Sequence, residues 1–166
     1  QWLEIAHQRW KEAHGRQPVS TEPRIMGVDV AGMGRDCTCF VERQGCWASE
    51  FKTHNSGGSA DHMKIAGAIT DRRRHEIEMY VSIDTIGEGA GVFSRCVENE
   101  RRENSHYIIS CKYSEGAKGF NGKNLTDTTG QYEFLNMRAY LFWAVRDWLN
   151  PKNETGAMLP PDPQFD

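Results

Sequence analysis

The alternation of apolar and polar positions along the chain changes period several times, and each change marks an element. Trp2, Leu3, Ile5, Ala6 and Trp10 recur at helical spacing until Gly15 breaks the pattern. After a Pro-containing stretch, residues 24–30, apolar from Ile25 to Val28, read as a buried strand ending at an acid, Asp29. Residues 36–43 and 46–51 read as two further strands joined by the Gln44-Gly45 turn, so the first three strands are expected to be consecutive and antiparallel. Asn55-Ser56-Gly57-Gly58-Ser59 reads as a loop, with Ser59 as cap of a helix over 60–74.

The second half follows the same logic. Residues 78–84 form a fourth strand, again ending at an acid, Asp84. Gly87, Gly89 and Gly91 open a helix through Val92, Phe93, Cys96 and Val97, and 106–110 form a short fifth strand. Residues 115–130, with four glycines, read as a long mobile loop, and 132–149 as a helix rich in large apolar side chains that Asn150-Pro151 ends. Strands alternating with helices make the class α/β with a mixed sheet of about five strands. One domain is expected over 1–166, with both ends reading as cuts through a longer chain.

Composition adjusts this picture only a little. Hydrophobic residues at 38 % and charged residues at 26 % fit a folded globular chain. No apolar run approaches the roughly 20 residues of a membrane span, and the first residues lack a secretory pattern, so the chain reads as cytoplasmic. The net charge of −3 is unlike that of a basic nucleic-acid binder, unless the cations cluster or other domains hold the nucleic acid. Cys37, Cys39, Cys46, Cys96 and Cys111 are odd in number and form no closely spaced pair, which reads as reduced cysteines and not as a zinc framework.

The candidate chemistry lies in the two strand-ending acids. Asp29 and Asp84 each close an apolar strand and precede a Gly-rich turn, and ligands of open α/β sheets bind at the carboxyl ends of strands. If the two strands are neighbours, the carboxylates converge, and a hard divalent cation such as Mg2+ or Mn2+ would offset their repulsion. Each could equally cap the turn that follows it.

Three segments carry a resemblance to the nuclease domain of phage terminase large subunits. Ile25-Met26-Gly27-Val28-Asp29-Val30-Ala31, followed by Gly34, Asp36 and Thr38, is similar to the first nuclease motif of that family, and Arg43-x-Gly45 follows at the family's turn. Val81-Ser82-Ile83-Asp84-x-Ile86-Gly87-x-Gly89-Ala90-Gly91-Val92 resembles the second motif and is the more specific match. Phe134-x-Asn136-x-Arg138-Ala139 also resembles the family. The resemblance implies an RNase H-like fold and a DNA endonuclease that cuts concatemeric genomes by two-metal phosphodiester hydrolysis, with Mg2+ or Mn2+ as the ions. Asp29 would bridge both ions, Asp84 would bind one, and Asp36 would be an outer or alternative ligand. The family's third catalytic acid is expected beyond Asp166, and Asp147, Asp162 and Asp166 are substitutes that no motif nominates. Implied partners are double-stranded DNA, an ATPase domain of the same large subunit, the small terminase subunit and the portal protein, in the host cytoplasm and with no membrane.

The remaining polar residues are secondary. Glu88 reads as a solvated loop acid able to face the site, and His54, His62, His75 and His106 show no ligand-set pairing. Arg72-Arg73-Arg74 and Arg101-Arg102 sit near predicted helix ends, where the dipole accounts for them. Lys112, Lys118 and Lys123, in or beside the glycine-rich loop, are better candidates for phosphate contacts. The aromatics Tyr132, Phe134, Tyr140, Phe142, Trp143 and Trp148 read as core and interface. No Walker-type phosphate loop is present. Alternatives are a resolvase-like nuclease of the same superfamily, an actin-like or sugar-kinase-like phosphate-binding domain, and a non-enzymatic docking module.

Overall fold

The apolar run at 25–28 becomes the central strand of a mixed sheet. β1 (Arg24–Asp29) pairs antiparallel with β2 (Thr38–Gln44) and parallel with β5 (Tyr80–Asp84). β6 (Ile108–Cys111) extends the parallel side from β5. On the antiparallel side β3 (Trp47–Ala48) and β4 (Lys52–His54) both pair with β2, giving the order β3-β2-β1-β5-β6. This is the mixed α/β sheet the strand pattern implies. The structure, a computed structural model, describes residues 1–32, 36–55, 61–119 and 121–162, so Gly34, Ser59 and Asp166 lie outside the described residues.

In place of the single strand expected over 46–51 there are two short ones, β3 within that range and β4 just beyond it. β3 and β4 pair with β2 in registers that differ by one residue, and at the break Ser49 bonds Glu42 through both its backbone and its hydroxyl. That is the geometry of a β-bulge, which an apolar pattern of six residues does not reveal.

The described chain divides into two compact units, Gln17–Cys111 and a second made of Gln1–Arg16 with Lys112–Asp166. The first contains the sheet with helices α2 (His62–Arg74) and α3 (Gly89–Asn99). Alternate residues of the strands face these helices: Met26 and Val28 of β1, Val81 and Ile83 of β5 and Ile108 of β6 pack against Ile65, Ala66, Ile69, Val92 and Cys96. Burial of that apolar surface is the main favourable term of folding. It also pushes the Cys96 thiol up to about 12, which leaves it inert, in keeping with the reading of the cysteines as packing residues. Asp61 caps α2 by accepting from the Lys64 amide at 3.2 Å. α3 connects the parallel strands β5 and β6, a link that antiparallel hairpins do not need.

Helix-end arginines do more here than meet a dipole. Arg72 donates twice to Glu42 at 2.7 Å, and Arg24 donates to the same carboxylate at 2.9 Å. Burial would raise the Glu42 carboxyl, but the hydrogen bonds and charges of Arg72 and Arg24 outweigh it and hold the group below its usual range. Arg73 is buried, donates to Glu100 at 2.7 Å and to the Met79 carbonyl, and lies 5.2 Å from the Tyr107 ring centre. Arg72 and Arg73 are therefore committed to ion pairs within the unit, Arg73 fully buried.

In the second unit, α1 (Trp2–Glu12) matches the expected helix, and α4 (Met137–Leu149) starts five residues later than its apolar pattern suggests. Asn136 caps α4, its side chain accepting from the Ala139 amide at 2.9 Å. The residues before it belong to a folded connection: antiparallel bridges join Lys118 to Asn124 and Thr126 to Glu133. The aromatics form a half-exposed cluster, with Trp143 within 6 Å of Tyr132 and Phe134, and Phe142 is 74 % exposed. Asp147 is the one buried residue of α4, so the expected core character of this helix is only partial.

Candidate functional site

The parallel register places the two acids side by side. Val28 pairs with Ile83, so the next residues, Asp29 and Asp84, end neighbouring strands at the same edge. Paired strands run about 4.8 Å apart, so the two acids follow a pair of residues at that spacing. Both belong to the set of side chains that face away from α2 and α3, since Val28 and Ile83 face toward them. Cys39 pairs with Asp29 and Cys111 with Asp84, so a row of Cys39, Asp29, Asp84 and Cys111 crosses the sheet. The thiols' place in that row depends on strand order, which their spacing in the sequence does not disclose.

The carboxylates differ in their bonding. Asp84 Oδ1 accepts from the Ile86 amide at 3.0 Å, so this residue does cap the turn after β5 while its second oxygen has no protein partner among the described residues. Asp29 is exposed, and its carboxylate accepts no protein hydrogen bond among the described residues. Partial desolvation at the strand end, then the negative charges of Asp84 and Asp36, raise its pKa above the ordinary carboxylate value. Asp36 is thus close enough to act on Asp29 electrostatically. Among the described residues, no group of three or more His, Cys, Asp or Glu side chains is gathered tightly enough to enclose a metal ion.

The glycines of the second motif have separate tasks. Gly87 has φ +77°, a left-handed turn conformation that other residues adopt at a cost. A Cβ on Gly89 would lie 1.7 Å from the Asp84 carbonyl oxygen, so only glycine lets α3 start against the end of β5. A Cβ on Gly91 would lie 2.9 Å from Nδ1 of His62. Tight packing accounts for Gly89 and Gly91, and backbone conformation for Gly87.

Glu88 and His62 are residues the sequence reading underrated. His62 Nε2 and Glu88 Oε2 are 2.6 Å apart, joining the start of α2 to the turn after Asp84. They are 26 positions apart in sequence and meet only because α2 packs on α3, so no local signal announces the pair.

The other candidates divide as follows. Lys112 is paired with Glu115 at 3.1 Å, and Lys118 and Lys123 lie in the folded connection of the second unit, where the Lys123 carbonyl accepts from the Gly119 amide. Asp147 is buried and bonded to Arg146 at 3.1 Å and Thr128 at 3.3 Å, which makes it a structural acid. Asp162 lies in the same unit near its end.

No protein-family model matches the sequence, and no curated protein matches it at a significant level. Solved structures do. The nuclease domain of the large terminase subunit gp2 of bacterial virus Sf6 superposes with a TM-score of 0.67 at 20 % identity, over 98 % of this chain and 72 % of that one. A point mutant of that domain, solved with manganese and beta-thujaplicinol, gives 0.66 at 19 % identity over the same shares. A mutant form with calcium gives 0.61 at 19 % identity. The fold of this chain is that of a terminase nuclease domain, an RNase H-like mixed sheet.

Proposed function

We propose that this chain is a metal-dependent DNA endonuclease of a viral DNA-packaging motor, with Asp29 and Asp84 as its metal-binding catalytic acids. The observation that carries the reading is the pairing of two strand-end carboxylates, one without a hydrogen-bond partner among the described residues and with a raised pKa. Such an arrangement disfavours its own ionisation until a cation arrives. The donor set is hard oxygen, which fits Mg2+ or Mn2+ and not a soft metal.

Asp29 and Asp84 would hold the ions, and Asp36 would serve from the outer shell. The chemistry such ions supply is a lowered pKa for attacking water and neutralised charge on the phosphate and leaving oxygen. The chain's own part is to hold the two carboxylates at a fixed separation, where an arriving cation offsets their repulsion. The Ile86 amide orients Asp84 for that purpose, and the close seat of Gly89 fixes its backbone. Lys118 and Lys123 are proposed phosphate contacts, and replacing both by Ala should weaken duplex binding and flatten its salt dependence. On the motif resemblance to terminase large subunits, the partners would be double-stranded DNA, an ATPase domain of the same subunit, the small terminase subunit and the portal, in the host cytoplasm.

The test is cleavage of linear and supercoiled DNA with Mn2+ or Mg2+. Cleavage that Asp29→Asn and Asp84→Asn each abolish, with circular dichroism unchanged, supports the assignment. Cleavage at the wild-type rate by either variant removes that residue from the mechanism. Preference for four-way junctions over linear duplex would favour the resolvase-like alternative.

A further inference from the structure

Glu88 touches more of the site's framework than its place in an exposed turn suggests. Its Oε2 lies 2.6 Å from His62 Nε2, a short hydrogen bond in which the ring N–H donates when the carboxylate is ionised. Its Cγ lies 3.2 Å from where a Cβ on Gly32 would sit, so it packs on the segment that follows Asp29. Its own turn follows Asp84 and enters α3 at Gly89, which is packed on the Asp84 carbonyl. One side chain thus joins the segment after β1, the turn after β5 and the first residue of α2. His62 is in turn seated against Gly91 of α3, where any added side chain would displace the ring.

The pair does not belong to the acid cluster itself. Among the described residues, the charges that act on Asp29 are those of Asp84 and Asp36, and Glu88 is not among them. We propose that Glu88, held by His62, is a positioning residue that clamps the post-β1 and post-β5 segments together and so sets the separation of Asp29 and Asp84 at the metal site. The clamp rests on the metal-site reading above. Polar partners that orient metal ligands are commonly worth about 10- to 100-fold in metal affinity.

Mn2+ binding to the whole chain, followed by electron paramagnetic resonance alongside thermal unfolding without metal, tests this. Wild type should bind Mn2+, and Asp29→Asn should not. Glu88→Ala and His62→Ala should each weaken binding by about tenfold or more, and the double variant should lose no more than either single one. Gly91→Ala, which keeps the imidazole but displaces it, should weaken binding in the same way. Glu88→Gln keeps both the packing on Gly32 and an acceptor for the ring N–H, so it should restore most of the affinity.

Three results overturn the clamp. Unchanged Mn2+ affinity in Glu88→Ala and His62→Ala, with binding still abolished by Asp29→Asn, removes it and leaves the metal site standing. Loss in Glu88→Gln equal to that in Glu88→Ala makes Glu88 a metal ligand and not a positioning residue. Absence of Mn2+ binding by the wild-type chain removes the metal-site reading and the clamp together.

Discussion

Replacing Gly89 by Ala should damage the site through a single methyl group. The new Cβ would lie 1.7 Å from the Asp84 carbonyl oxygen and 2.9 Å from its carbon, both closer than real Cβ contacts allow. The nearest atoms are backbone, so no side chain can swing away. To reach an ordinary contact, the end of β5 and the start of α3 must separate by more than about 1 Å, a displacement that can cost on the order of 100-fold in rate. Overpacking of this kind costs about 1–3 kcal/mol, offset slightly by the better helix propensity of Ala. Gly67→Ala is the matched control. It lies in α2 with nothing within 4 Å of an added Cβ, and it should stabilise by about 0.5–1 kcal/mol. For a chain of this size 1 kcal/mol moves Tm by about 2–4 °C, so calorimetry should separate the two variants clearly. DNA cleavage with Mn2+ should fall steeply in Gly89→Ala and stay near wild type in Gly67→Ala. Equal Tm values together with wild-type cleavage in Gly89→Ala would refute the packing argument.

Two further variants test the electrostatics. Glu42→Gln removes a charge that holds Arg24 and Arg72, and it should destabilise by about 2–3 kcal/mol, below the usual cost of breaking a buried pair because Glu76 still bonds both arginines. The Glu42 pKa is lowered by folding, so its contribution is complete above its unfolded value and is lost as pH falls through the folded one. Urea midpoints of wild type and variant should therefore converge in acid, and a gap independent of pH would contradict this. Asp29 has the opposite sign. Its folded pKa is raised, so stability is complete below the unfolded value and lost as pH rises through the folded one. Without metal, Asp29→Asn should thus be more stable than wild type at neutral pH and lose that advantage in acid, and a variant less stable at pH near 7 would count against the assigned strain.

Much of the sheet was legible because β1 and β5 are largely apolar runs closed by an acid and a turn. Their adjacency was not, since parallel pairing is decided by where the helix between them packs. The late start of α4 had a signal in Asn136, which caps it, but Tyr132 and Phe134 extended the apolar pattern and obscured it. The bulge between β3 and β4 rests on hydrogen bonds of Ser49 to Glu42, which hydrophobicity does not encode. The arginines of α2 read as cations meeting the helix dipole, yet Glu42 and Glu100, distant in sequence, take up Arg72 and Arg73. Asp29 and Asp84 could be named from the sequence, whereas Glu88 and His62 acquire meaning only once α2 lies on α3.

The most direct test of the metal-site assignment is a crystal of this chain soaked in Mn2+ and read for anomalous scattering. The account predicts a peak with metal–oxygen distances of about 2 Å to carboxylate oxygens of both Asp29 and Asp84, and none in crystals of Asp29→Asn. Ordered, ionised carboxylates at the ends of β1 and β5 with no anomalous peak at a saturating Mn2+ concentration would contradict it.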